Sequence, residues 1–402
     1  MSRAFPDYYQ FGHPTRIVAG RGMIEGAGFE FMKEGATRPL VVTDAGLRAT
    51  GLVEKAEAGI AGGGLEVAGV FDDVPQDSST ATVEACAATA KEAGADSFLA
   101  LGGGSVIDTA KTATIVFTHG GSLLDYEGLY TLPRGNDGMG APAPVAPLAC
   151  IPTTAGTGSE VSFGAVIRDP KQKIKVMIGD FPLFPRLAIL DPESTATLPA
   201  HIAAATGMDA MTHAIEGFTS NEGSPHGEAF ALYALRMMRD NLPVAVEDPS
   251  NEDARGNMLI AASQAIVPGA GATVALGAVH SMSHAAGARY GVPHGVANAI
   301  NLPHVIRWNC AGGPEIADRY REIAGLLGAE SGGSDEEVGD SLAAWVASLT
   351  GSMGLPRRLS EAGVPEAGIP DLVEGAMGDG CSLTNARELE PEDFEELYKA
   401  AL

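Results

Sequence analysis

The chain is short of cysteine, of basic residues and of long apolar runs, and each shortage excludes a class of protein. Its four cysteines, Cys86, Cys150, Cys310 and Cys381, lie far apart among 402 residues, and none belongs to a CxxC pair. Neither a disulfide scaffold nor a thiolate metal site is expected. Lys and Arg number 26 against 51 Asp and Glu, a formal net charge of −25. Such a surface repels nucleic acid and anionic membranes, so neither is expected as a partner. No apolar run is long enough to span a bilayer. The opening MSRAFPDYYQ has no apolar signal core, so a cytoplasmic location is expected. Lysine is absent from residues 196–310, where only Arg236, Arg239, Arg255, Arg289 and Arg307 carry positive charge.

What is present points to a globular enzyme-sized chain, 45% hydrophobic and 19% charged. Its length fits two domains or one large one. The first half alternates apolar β-rich runs with helical patterns. Strands are expected at Pro39–Thr43, Glu66–Phe71, Ser97–Leu101, Ala146–Ile151 and Leu187–Leu190. Helices are expected at Leu47–Ile60, Ser79–Ala93 and Val106–Phe117. Ser162–Arg168 and Lys173–Ile178 read as a hairpin turning at Asp169-Pro170, and residues 119–146 as a long loop. Strand–helix alternation implies a parallel sheet covered on both faces. From about residue 196 the strand signal stops, and helical patterns follow at 200–219, 225–241, 251–266, 275–290, 314–328, 335–351 and 391–401. The expected fold is an α/β N-terminal Rossmann-like parallel-sheet domain over residues 1–195 and an all-α C-terminal domain over 196–402.

The chemistry-bearing residues cluster in both halves. His280 and His284 are four apart and share a helix face, as do Asp209 and His213. His294 follows a Gly-Val-Pro break, at or beyond the end of its helix. Asp209, His213, His280 and His294 would form a one-carboxylate, three-imidazole set that zinc and ferrous iron both accept. Spacing alone leaves ordinary buried histidines as the alternative. Gly102-Gly103-Gly104-Ser105 sits between a strand and a helix. There the backbone N–H groups and the helix dipole suit a diphosphate, although a tight turn has the same look. Asp44 ends a strand, where it can accept from ribose hydroxyls or cap a helix. Thr153, Thr154, Thr157 and Ser159 form a hydroxyl-rich loop, and Lys175 is a scarce cation on a strand.

Together GGGSVIDTAK (102–111), PTTAGTGSE (152–160), LDP (190–192), GMDAMTHAIEGF (207–218) and GAVHSMSHAAGARYGVPHGVANAINLPHVIRWN (277–309) resemble the iron-containing alcohol dehydrogenase family, in its order and spacing. The resemblance implies a metal-dependent alcohol dehydrogenase or aldehyde reductase that moves hydride between nicotinamide and a small alcohol or aldehyde. It implies Asp209, His213, His280 and His294 as ligands of Fe2+, with Zn2+ in some members. His284 matches a non-ligand histidine near the substrate, a candidate proton relay. Gly102, Gly103, Gly104 and Ser105 match the pyrophosphate loop, and Asp44 the acid that favours NAD over NADP. Thr153, Thr154 and Ser162 match hydroxyl contacts, and Lys175 a cofactor-contacting lysine. A homodimer or larger homo-oligomer is implied. Two departures stand out: Asn385-Ala386-Arg387 replaces Asn-Pro-Arg, and Pro75-Gln76-Asp77 replaces a loop that often carries Asn. The rivals are a related-fold phosphate-substrate enzyme, of glycerol-1-phosphate dehydrogenase or dehydroquinate synthase type, and a non-catalytic nucleotide-binding protein. The phosphate enzymes need cations converging in the helical half, where this chain has few.

Overall fold

The computed structural model describes residues 9–135, 138, 140–172, 174–270 and 275–402. The first half contributes β1 (Arg16–Ala19), β2 (Pro39–Val42), β3 (Gly69–Phe71), β4 (Ser97–Gly102), β5 (Gly128–Leu129), β6 (Leu148–Pro152), β7 (Gly164–Asp169), β8 (Ile174–Gly179) and β9 (Leu187–Leu190). Six strands form one parallel sheet in the order β1-β9-β6-β4-β2-β3. The hairpin expected near Asp169-Pro170 is present as antiparallel β7 and β8, with β5 added to β8 in parallel. Lys173, the expected start of its second arm, lies outside the described residues.

The strands of a parallel sheet are buried on both faces, so they read as continuous apolar runs. Here β2, β4, β6 and β9 are buried at every position. Successive residues still part company. Leu40, Val42, Phe98, Ala100, Leu148 and Cys150 enter one core with Val83, Cys86, Val106 and Ile107 of helices α4 (Thr80–Ala93) and α5 (Gly104–His119). Val41, Leu99, Leu101, Ala149 and Ile151 enter the other, with Phe31 of α1 (Ala27–Met32) and Val53, Ala56 and Ile60 of α3 (Leu52–Gly62). Between α1 and α3 runs the single turn α2 (Ala45–Arg48). The sequence pattern joins α2 and α3 into one helix, but Gly51 separates them with φ 82°, a left-handed conformation suited to glycine. Chain order reverses between β2 and β4, because β3 lies outside β2 while β6 lies on the far side of β4. The crevice at the C-terminal ends of strands flanking such a reversal is the usual ligand position of this architecture.

The second half is helical: α6 (Ala200–Thr219), α7 (Pro225–Glu247), α8 (Glu252–Ala265), α9 (Ala278–Tyr290), α10 (His294–Cys310), α11 (Pro314–Leu327), α12 (Asp335–Ser352), α13 (Ile369–Met377) and α14 (Pro391–Ala401). No described helix is long and apolar enough to cross a membrane. Contacts gather Pro14–Thr206 with Asn241–Ser263 in one unit. The other unit holds Gly207–Asp240, Gln264–Leu402 and the described residues before Pro14. A single cut at residue 195 does not reproduce this division, because α8 returns to the first unit. There Arg255, 8% exposed, donates from Nε to the Pro192 carbonyl at 3.1 Å. Gly256 also lies against the Pro192 ring.

Candidate functional site

Helix α6 is apolar and Ala-rich, and it carries Asp209, His213 and Glu216 with exposures of 2%, 6% and 4%. Helix α9 brings His280, 1% exposed, and His294 opens α10. The four expected ligands converge on one carboxylate oxygen. His294, His280 and His213 present their Nε2 atoms 3.4, 3.7 and 3.8 Å from Asp209 Oδ1. Four donors about 2.1 Å from a tetrahedral metal are about 3.4 Å apart, so the cluster is sized for one divalent ion. His280 Nε2 is buried and makes no hydrogen bond, which fits an atom that would hold a metal.

Residues away from the ion's reach fix this geometry, as metal sites require. Glu216 Oε2 pairs with His280 Nδ1 at 2.5 Å, which leaves Nε2 as the lone-pair atom facing Asp209. Glu216 is itself held by the N–H groups of Gly277 (2.9 Å) and Val279 (2.7 Å). Only glycine fits at 277, since a Cβ there would come within 2.7 Å of Asn385 Oδ1 and 2.8 Å of Glu216 Oε1. Asn298 donates to Asp209 Oδ1 at 2.7 Å. Burial pushes the Asp209 carboxyl up, but the surrounding imidazoles hold it well below the usual carboxylate range. Burial pulls His280 down, and the Glu216 and Asp209 carboxylates override it to about 9. Burial pulls His294 down to about 4 in the same cluster, so its imidazole is neutral with a lone pair to offer.

His284 stands apart from this set. One turn beyond His280, its Nδ1 pairs with Asp379 Oδ2 at 2.7 Å. Asp379 Oδ1 accepts from the Cys381 N–H (2.9 Å) and the Ser281 hydroxyl (3.2 Å). Its ring stacks on that of His294 with centroids 5.1 Å apart. Asn385 accepts from the Ala278 N–H at the start of α9, and Arg387 lies over the Trp308 ring, so the altered Asn-Ala-Arg stretch is a packing element. Glu216, Asn298 and Asp379 were not expected from the sequence. Glu216 was findable, three residues after His213 on one helix face. Asp379, 95 positions from His284, left no such trace. All four cysteines are buried free thiols.

In the sheet unit Asp44, the Gly102–Ser105 loop and Thr153–Thr154 occupy the C-terminal ends of neighbouring strands β2, β4 and β6, whereas Ser162 precedes β7 and Lys175 lies on β8. Asp44 follows β2 and caps α2, accepting from Leu47 N at 3.0 Å. Gly102 and Gly103 join β4 to α5, whose N-terminus has no capping side chain. Gly104 and Ser105 begin that helix, so its first N–H groups are available to an anion. Thr153 and Thr154 follow β6. A Cβ on Gly103 would meet Thr154 at 3.2 Å, and one on Gly104 would meet Thr157 at 2.8 Å. The glycine and threonine loops therefore pack closely, with no unshifted room for a Cβ at 104 and little at 103. Ser162 accepts from Lys111 at 3.3 Å, and Lys175 pairs with Asp77 at 3.0 Å. Lys111 was also unforeseen. Fully buried in α5, it donates to the Ser159 carbonyl and hydroxyl (2.9 Å each) and to the Gly164 carbonyl (2.7 Å). Ser159 in turn donates to Asp108 at 2.5 Å. An Asp-x-x-Lys pair in a helix with no other Asp, Glu, Lys or Arg was the available signal.

The model of iron-containing alcohol dehydrogenases matches residues 14–192, and the C-terminal model of the same family matches 203–402. Over 390 residues the chain is 36% identical to an NAD-dependent methanol dehydrogenase of Bacillus methanolicus, covering 97% of this chain and 98% of that one. It is 34% identical to the lactaldehyde reductase of Escherichia coli over 387 residues, 95% and 96% of the two chains. A crystal structure of a 1,3-propanediol oxidoreductase superposes with a TM-score of 0.91 at 33% identity, covering 98% of this chain and all of that one. On these matches the chain belongs to the iron-containing alcohol dehydrogenase family and is an oxidoreductase.

Proposed function

We propose that this chain is an NAD-dependent alcohol dehydrogenase or aldehyde reductase working with Fe2+, or with Zn2+ in its place, at Asp209, His213, His280 and His294. The observation that carries the reading is the convergence of three imidazole Nε2 atoms on Asp209 Oδ1, one of them buried and unbonded. A divalent ion there supplies Lewis-acid polarisation of the substrate oxygen, and NAD supplies the hydride chemistry. The protein's own contribution is orientation. Glu216 holds His280 in one tautomer, and Asn298 steadies Asp209. Asp379 holds His284 by Nδ1, leaving Nε2 to take or give the alcohol proton. In the sheet unit, the N-terminus of α5 with Ser105 and Lys175 receives the diphosphate. Thr153, Thr154 and Ser162 offer hydroxyls, and the Asp44 carboxylate disfavours a 2′-phosphate.

A phosphorylated substrate is disfavoured. Four of the five arginines in 196–310 are already engaged, Arg239 by Asp240, Arg255 by backbone carbonyls, Arg289 by Glu374 and Arg307 by Asp340. A cytoplasmic location and a homo-oligomer complete the reading. The test is a spectrophotometric screen of small alcohols and aldehydes, with NAD(H) and NADP(H), on iron- and zinc-loaded protein. Turnover with NAD(H) and a small alcohol or aldehyde is expected. Bound metal and bound NAD without turnover of any substrate would instead make the chain a nucleotide-binding protein.

A further inference from the structure

Asp77 is one of three non-glycine residues with positive φ among the described residues, at 58°. Such a conformation is costly for most side chains and persists where the surroundings impose it. Here they do. The next residue, Ser78, is 2% exposed and accepts the Thr109 hydroxyl at 2.6 Å, while its carbonyl accepts from Arg168 N at 2.9 Å. Ser79 then caps α4. The segment is thus tied to α5 on one side and to β7 on the other, and the left-handed turn aims Asp77 in two directions. Its N–H donates to Ser105 Oγ at 3.1 Å, and its carboxylate meets Lys175 Nζ at 3.0 Å.

Ser105 belongs to the α5 N-terminus assigned above to the diphosphate, and Lys175, on β8, is the cation assigned to the same site. A serine hydroxyl has one proton to donate and two lone pairs. Ser105 spends a lone pair on Asp77 and makes no other side-chain hydrogen bond among the described residues, so its proton stays available to a phosphate oxygen. Lys175 is different: its ammonium is already matched by a carboxylate. An incoming diphosphate must share that ammonium or take it from Asp77.

We propose that Asp77 is a positioning residue of the dinucleotide site that competes with the diphosphate for Lys175, and so sets how tightly NADH is held and how readily it leaves. This rests on the dinucleotide reading above. The competition is local, because a pair this exposed is worth little by itself and is screened by salt.

The test is calorimetric titration of metal-loaded wild type, Asp77→Asn, Lys175→Met and the double variant with NADH, ADP and adenosine at low and high salt. Asparagine tolerates the left-handed turn and keeps the N–H to Ser105. Asp77→Asn should bind NADH and ADP more tightly, by about three- to tenfold at low salt and less at high salt. Adenosine binding should be unchanged, and the gain should vanish in the Lys175→Met background. A merely structural role predicts weaker binding, not tighter. Unchanged or weaker NADH binding by Asp77→Asn, or a gain that survives in Lys175→Met, overturns the inference while the dinucleotide reading stands. Failure of wild type to bind NADH at all overturns both.

Discussion

A single oxygen, Asp209 Oδ1, is the point on which three imidazoles converge, so under the proposed metal assignment each ligand's removal has a distinct signature. His280→Ala or His294→Ala deletes one of four donors and should abolish stoichiometric metal and nearly all turnover. Elemental analysis showing full metal in both variants would contradict the assignment. His284 lies in the same helix but turns its Nδ1 to Asp379. His284→Ala should therefore keep its metal and its NADH affinity while losing turnover by about 10²-fold, the usual scale for a proton-transfer group. Asp379→Asn should show the same pattern at smaller amplitude, since it acts through the imidazole. Loss of metal in either variant would turn His284 into a ligand, and unchanged kcat would leave it as packing. The pairing of Asp209 with His213 was legible because a helix repeats its face every three to four residues. That of His284 with Asp379 was not, because pairing across 95 residues is a product of tertiary folding and leaves no local period.

The elements position chemistry by where they stop. Strand β2 ends at Val42, and the next turn of chain places Asp44 as the N-cap of α2. The two roles left open by the sequence are both structurally available, since capping uses one carboxylate oxygen and leaves the other. Asp44→Gly separates them. Glycine at an N-cap costs only a few tenths of a kcal/mol, whereas relief of charge repulsion should move the kcat/KM ratio of NADP to NAD by about tenfold or more. An unchanged ratio would leave Asp44 as a cap alone. Strand Leu187–Leu190 and the limits of α6 and α14 follow directly from the sequence pattern. Helix α10 does not, because buried Asn298 and Asn301 and the internal Pro303 interrupt its apolar face. Edge strand β1 is hidden for a related reason: it is short and only alternately half-buried.

At the scale of the molecule, the buried charges of α5 and the adjoining loop tie stability to pH. Burial pushes the Glu160 carboxyl up from its ordinary 4.5 to about 7. The folded chain then holds that proton where the unfolded chain has released it. Glu160 thus favours the fold most below about pH 4.5, and the contribution is lost as the pH climbs through 7. The loss reaches about 3 kcal/mol at most. Glu160→Gln, which never ionises, should gain thermal stability over wild type as the pH is raised from 5 to 8. A difference that stays constant over that range would place the Glu160 carboxyl near its ordinary value. The return of residues 241–263 to the sheet unit has a consequence of another kind. A gene fragment ending near residue 195 would encode the strands without the helix that covers Pro192. The sheet unit is two separate segments, 14–206 and 241–263, so its exchange between relatives would need a junction at each of four ends rather than one crossover.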